Sequence, residues 1–295
     1  MAVRVAIANH KGGVGKSTSS LMIAEALAAT LGLRVLVIDM DPQASVSTML
    51  LSASGADRVA LGGRSIMALL ERVASGAPVQ LSKVITSNAS DLIELRDYPG
   101  DARVDLIASA SELLIALTSL ESQIRSRYRA HLDVVLMRTL SPELDRIGRS
   151  YDVVLFDCPA GTGPLSLAAV RLSRYVIAPT VLDEISVKAL KDFISIVLAQ
   201  QRDAAGHFEL KVLPAIFRTG DPVQSQMLDQ IRSGAVKLNC FRRPVPDTVH
   251  VRRATHRIRP NSYRTLREKY ASLASELHPL AKDVRAFILP KEKAK

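Results

Sequence analysis

Tryptophan is absent from the 295 residues, aromatic residues make up only 4%, and the two cysteines, Cys158 and Cys240, stand far apart without CxxC spacing. That usage argues against a disulfide-stapled scaffold and against a zinc ribbon. No uninterrupted apolar run reaches the roughly 18 residues that a membrane helix needs. The N-terminus runs straight into the strand-like Val3–Ala8 with no basic leader or small-residue cleavage site, so a cytoplasmic protein is expected. Repeats, low-complexity tracts and a domain linker are also missing. The expectation is a single domain over residues 1–289 followed by a short basic tail, 290–295. At 47% hydrophobic and 23% charged residues, such a domain buries a substantial core.

Acid is what the last third lacks. Residues 1–201 carry 20 Lys and Arg against 20 Asp and Glu, whereas residues 202–295 carry 19 against 9, so the whole net charge of +10 resides there. Between Arg242 and Lys269, nine basic residues oppose only Asp247 and Glu268. A density of that kind points to a polyanionic partner. Elsewhere the chain alternates short Val/Ile/Leu runs with helical-period segments. Residues 3–8, 34–39, 104–108, 152–157, 175–179 and 210–216 read as buried strands. Helices are expected near 17–31, 65–75, 109–120, 122–147, 164–172, 186–202, 222–235 and 262–288. The pattern predicts an α/β fold, a mostly parallel central sheet with helices on both faces. Residues 52–64 and 88–103 read as loops.

The first strand leads into Asn9-His10-Lys11-Gly12-Gly13-Val14-Gly15-Lys16-Ser17-Thr18 and then a helical pattern. Strand, glycine loop and helix suit a phosphate cradle. Glycines let backbone N–H groups turn inward, Lys16 can reach the β- and γ-phosphates, and the Ser17 hydroxyl can ligate Mg²⁺ at the helix N-terminus. The G-x-x-x-x-G-K-[ST] pattern is not met, because its first glycine falls on His10. The segment resembles instead the K-G-G-x-G-K-[ST] loop of the deviant Walker A ATPases of the ParA/MinD type. The resemblance implies a P-loop NTPase fold and ATP with Mg²⁺. It places Gly12, Gly13, Val14, Gly15, Lys16, Ser17 and Thr18 around the nucleotide. It also implies an ATP-bound homodimer in which Lys11 reaches the phosphates held by the other subunit. His10 reads as a loop filler.

Two further segments carry acids. Asp39-Met40-Asp41-Pro42-Gln43 follows the second apolar run and resembles the family's D-x-D-P-Q. Alternation along a strand end points both carboxylates the same way. From the resemblance, Asp41 orients the attacking water and Asp39 supports the metal or the switch; capping of the turn at Pro42 is the competing reading for either. Tyr151-Asp152-Val153-Val154-Leu155-Phe156-Asp157 is an apolar strand ending in an acid, the Walker B arrangement, in which Asp157 holds Mg²⁺ through water. Where the family commonly reads D-C-P-P, this chain has Asp157-Cys158-Pro159-Ala160, and Cys158 reads as packing. Family members place adenine contacts on late loops, corresponding loosely to 217–221 and 245–249.

For the polyanion, guanidinium groups spaced along the basic segment suit phosphate oxygens, and few aromatics accompany them for base stacking. Non-specific double-stranded DNA is the expected partner, through Arg242, Arg243, Arg252 and Arg253, then Arg257 and Arg259. A solvated face with internal ion pairs is the competing reading. ParA resemblance implies a nucleoid-associated ATPase that partitions a plasmid, chromosome or protein cargo, with hydrolysis stimulated by a ParB-like partner. Two alternatives follow from other branches. A MinD-like protein would bind a membrane surface through the stripe Leu273, Leu277, Leu280, Val284 and Ile288, which Glu276, Pro279 and Asp283 interrupt and which equally suits a helix packed on the sheet. A reductase resembling the nitrogenase iron protein would need paired interface cysteines, which two unrelated cysteines do not supply.

Overall fold

The computed structural model describes residues 1–201, 208–256 and 263–289. Six apolar runs become β1 (Val3–Ile7), β2 (Arg34–Asp39), β3 (Arg103–Ile107), β4 (Val153–Asp157), β5 (Tyr175–Thr180) and β6 (Glu209–Pro214). They form one sheet in the order β3-β2-β4-β1-β5-β6, every pair parallel. Successive side chains on a strand point to opposite faces. Val5, Ile7, Val35, Val37, Val153 and Leu155 therefore enter one core, and Ala6, Ala8, Leu36, Ile38, Val154 and Phe156 the other. With both faces apolar, helices must cover both, and the result is an α/β fold, the architecture that the P-loop NTPase resemblance implies.

On the first face lie α1 (Lys16–Leu31) and α12 (Ala274–Ile288); on the second lie α4 (Ile66–Ser75), α5 (Leu113–Tyr128), α6 (Leu132–Ile147), α7 (Pro164–Leu172) and α8 (Glu184–Gln201). Every residue of α1 from Ser19 to Ala28 is buried, because sheet and α12 enclose it from two sides. The expected amphipathic stripe of the last helix is spent here: Leu277, Leu280, Val284 and Ile288 join the core with Leu273. No helix among the described residues is long and apolar enough to cross a membrane.

Three local expectations change. Residues 52–64 contain a helix, α3 (Ala53–Leu61), following the short α2 (Ser45–Leu51). The Ser52 hydroxyl accepts the Gly55 N–H, and Ala56 and Val59 turn inward, so a Gly/Ser/Ala composition that reads as loop still has a capped, one-sided helix. The helix expected over 122–147 is two helices: Arg129, at φ 51°, ends α5 and the chain restarts at His131. The helix expected over 262–288 is interrupted where Ala271, at φ 51°, ends α11 (Leu266–Tyr270) and opens a short 3₁₀ turn leading into α12. The expected 290–295 tail lies outside the described residues. Also present are α9 (Pro222–Arg232) and α10 (Val249–Ala254), the second of which the sequence pattern did not suggest.

Candidate functional site

The strand order fixes the site. β1 and β2 both flank β4, so Ile7 and Asp39 stand in register with Asp157, and the carboxyl ends of three strands converge. Crevices at the carboxyl ends of parallel strands are where α/β proteins bind ligands.

From β1 the chain passes Asn9, a fully buried residue that anchors the loop. Its amide donates to the Pro179 carbonyl (2.8 Å) and the Thr180 hydroxyl (3.1 Å), and its Oδ1 accepts the Lys11 N–H (3.2 Å). Gly12 and Gly13 are exposed, Val14 is buried, and Gly15 caps α1 at φ 85°, a left-handed conformation that costs other residues energy. No side chain caps α1 and no acid occupies its first turn. Its leading N–H groups and the positive end of its dipole are thus available to an anion. Lys16 is buried and donates to the Lys11 carbonyl (3.1 Å). Burial pulls its pKa below the ordinary 10.5, and Asp157 and Asp41 oppose that pull.

Lys11 Nζ donates to the Ser186 hydroxyl (2.7 Å) and lies 3.9 Å from Asp183. Across the loop, a cleft of about 380 Å³ separates Lys11 and Gly12–Val14 from Ile216, Arg218, Asp221 and Gln224. Ile216 stands at φ 53°, a genuine outlier for a β-branched residue, and strain of this kind collects at functional sites. Of the two late loops expected near the base, 217–221 contributes to this cleft. The segment 245–247 lies behind it, zipped to Phe217 by the Phe217 N–H to Val245 carbonyl and Asp247 N–H to Phe217 carbonyl bonds. Asp247 in turn accepts from Arg218 (3.2 Å) and Arg252 (2.7 Å).

The three acids differ in how their oxygens are used. Asp39 is fully buried: Oδ1 accepts the Asp41 N–H (3.0 Å), and Oδ2 accepts the N–H (2.9 Å) and hydroxyl (2.6 Å) of Ser47. Asp41 is half-buried; Oδ1 accepts the Gln43 N–H (2.9 Å) across Pro42, and no described residue bonds Oδ2. Asp157 is fully buried, with Oδ1 accepting the Ser20 hydroxyl (2.7 Å) and Oδ2 without a partner among the described residues. Burial pushes its pKa up to about 6, and the hydroxyls of Ser20 and Ser17 pull it back. Burial, then the nearby Asp157 charge, holds Asp39 well above its ordinary value. A buried carboxylate oxygen with no donor, beside a helix N-terminus and a Ser hydroxyl, fits a hydrated divalent cation. Ser20, Ser47, Asn9 and Ser186 were not singled out from sequence. They are ordinary serines and an asparagine whose roles exist only once β1, β4 and α8 are assembled.

In the basic segment, Arg242, Arg243, Arg252 and Arg253 are all exposed. Arg243 pairs with Glu276 (3.1 Å) and Arg252 with Asp247, whereas Arg242 and Arg253 form no ion pair with a described residue. Arg257 and Arg259 lie outside the described residues. Lys269, counted with the basic segment, points inward: it is buried between Glu25 (2.8 Å) and Asp91 (2.7 Å).

The AAA domain family profile matches residues 2–210. Chromosome-partitioning ATPase Soj of Thermus thermophilus is 30% identical over 176 residues, covering 60% of this chain and 53% of that protein. This chain spans between about half and two thirds of the length of the curated relatives it matches. Among solved structures, cobyrinic acid a,c-diamide synthase from Mycobacterium smegmatis, with bound ATP analog and magnesium, has a TM-score of 0.69 at 21% identity, covering 97% of this chain and 96% of that one. The ParA of pNOB8, bound to nonspecific DNA, has a TM-score of 0.62 at 17% identity, covering 99% and 100%. A synthase and a DNA-bound ParA on one fold illustrate that architecture alone does not fix activity.

Proposed function

The chain belongs to the AAA domain family, and within it to P-loop proteins of the ParA/MinD type; from that premise we propose that it is a Mg²⁺-dependent ATPase. In this reading its ATP-bound homodimer coats double-stranded DNA without sequence preference and positions a plasmid, chromosome or protein cargo. The observation that carries the ATPase part is the uncapped N-terminus of α1, with buried Lys16 in its first turn, facing Asp157 with its free Oδ2. Backbone amides of Gly12–Ser17 and the Lys16 ammonium take up phosphate charge, and Lys11 of the second subunit adds to it. Ser17 and Asp157 are the residues that would hold Mg²⁺, which would supply neutralisation of phosphate charge. Asp39, with both oxygens engaged, supports the switch by fixing the Asp41 N–H and the start of α2. Asp41, with one oxygen free, orients the water. On this assignment Asp41→Ala retains ATP and the dimer but loses hydrolysis; parental turnover in that variant would move the role elsewhere.

Nucleoid association and stimulation by a ParB-like protein complete the proposed cycle. The exposed Arg242, Arg243, Arg252 and Arg253, and the charge excess of residues 202–295, support DNA as the surface. The family match ends at residue 210 and does not include this basic segment. The test is DNA binding by the purified protein without nucleotide, with ADP, and with a slowly hydrolysed ATP analogue, at two salt concentrations and beside anionic liposomes. Analogue-dependent, salt-sensitive DNA binding is the expected result. Liposome binding without DNA binding overturns it in favour of a membrane-surface ATPase.

A further inference from the structure

In the reading above, Lys11 serves the partner subunit's phosphates, yet within one chain its ammonium is already occupied. Ser186 is fully buried at the first turn of α8, and its hydroxyl donates to Asp183 Oδ2 (2.8 Å) while accepting from Lys11 Nζ (2.7 Å). Asp183 Oδ1 accepts the Ser186 N–H (2.7 Å), which fixes the carboxylate against the helix start. The Ser186 hydroxyl thus has its proton committed to Asp183 and turns a lone pair to Lys11, whose Nζ lies 3.9 Å from Asp183 Oδ2. The arrangement is a preformed socket for one ammonium group.

We propose that Asp183 and Ser186 form a resting socket for Lys11, and that leaving it is a step in forming the nucleotide-bound dimer. The inference rests on the proposed cross-subunit role of Lys11. Asp183 is the positioning residue: it touches Lys11 through Ser186 and sets where the ammonium waits. It also borders the cleft beside Gly12–Val14, so the lysine is held at the edge of the site that it must later leave. A ligand shifts such an equilibrium only by the difference in its affinity for the two states, so the socket weakens dimerisation by the population it withholds. A symmetric dimer releases two lysines. An effect of about threefold per protomer, the scale of a partly exposed ion pair, therefore becomes about tenfold in the dimer dissociation constant.

The experiment measures that constant by sedimentation at saturating ATP analogue for the parent, Asp183→Asn and Ser186→Ala. Saturation removes changes in nucleotide affinity from the comparison. Both variants are expected to dimerise about three- to tenfold more tightly than the parent. A merely structural role for these residues predicts the opposite sign, a weaker dimer. Equal or weaker dimerisation by Asp183→Asn, with the parent dimerising normally, overturns the socket and leaves the ATPase reading standing. A parent and variants that all stay monomeric with the analogue overturn the cross-subunit role of Lys11, and the socket's purpose with it.

Discussion

Glu25 and Asp91 lie as deep as Asp39 and Asp157, and the protein treats the two pairs in opposite ways. Around the first pair, Lys269 donates to both carboxylates, Tyr270 donates to Glu25 (2.7 Å), and Ser90 donates to Glu25 (2.7 Å). Burial pulls the Lys269 pKa down, but Glu25 and Asp91 more than offset that, and it stands above the ordinary 10.5. The cluster ties α1 to α11 and to the loop before β3, closing the C-terminal segment onto the helix that follows the glycine loop. Around the second pair no described cation lies within ion-pair distance, although Lys16 is near enough to lower the Asp157 pKa. Lys16 donates to a backbone carbonyl, and the carboxylates rely on serine hydroxyls and backbone N–H groups. Burying a charge without a partner is expensive, and a fold retains such an arrangement where a ligand completes it. The pair that shares a buried lysine is tied into the architecture; the pair without one lies where the proposed function puts cation and phosphate.

The largest effect expected from this contrast comes from breaking the matched cluster. Lys269→Met leaves two acids buried without their cation and should cost about 3–5 kcal/mol in urea unfolding. Adding Glu25→Gln and Asp91→Asn should restore most of it, because the remaining groups are neutral. If Lys269→Met costs under about 1 kcal/mol, the cluster is not the strut described, since losses of that size are ordinary for surface changes.

Opposite in sign, and smaller, is the expected effect of Asp157→Asn. With its folded pKa near 6 against an ordinary 3.8, Asp157 binds more protons folded than unfolded between those values. Its contribution to stability is therefore most favourable below about pH 4, is lost as pH rises through about 6, and stays lost above. Asparagine removes that dependence. The ligand-free variant should exceed the parent by on the order of 2 kcal/mol at pH 7.5, with the difference vanishing near pH 4. It should also lose the extra thermal stability that Mg²⁺ with nucleotide gives the parent. A ligand-free Asp157→Asn less stable than the parent at pH 7.5 would mean that the carboxylate is compensated after all, and the contrast would collapse.

The sequence disclosed these two clusters unequally. Local features were readable: the glycine loop, the acids at strand ends and the six apolar runs each depend on neighbours within about ten residues. Asp39 and Asp157 were legible because each ends a strand, and parallel pairing sets strand ends side by side. Glu25, Asp91 and Lys269 come from three distant segments, and Lys269 was read with the arginines around it as part of a basic face. Nothing in a stretch of Arg-Glu-Lys-Tyr distinguishes a lysine that solvates from one that α1 captures. The same limit hid the Lys11 socket, whose halves are 175 residues apart. Helix α3 escaped for a different, local reason: one capping serine and two inward residues do the work that a longer apolar stripe usually does.

Matched serines give the finest test. Ser90 in the first cluster and Ser20 in the second each donate one hydroxyl to a buried carboxylate, and each serine-to-alanine change should cost about 1–2 kcal/mol of stability. Stability alone will not separate them; the pH dependence of Mg²⁺-dependent turnover should. The Ser20 hydroxyl lowers the Asp157 pKa, so its removal raises that pKa and moves the acid limb of the rate profile toward higher pH. Ser90→Ala touches an acid already neutralised by Lys269 and should leave the profile where it was. A shift of the acid limb in both variants, or in neither, would mean that the acid limb does not report Asp157. The two clusters would then be distinguished by packing rather than by charge.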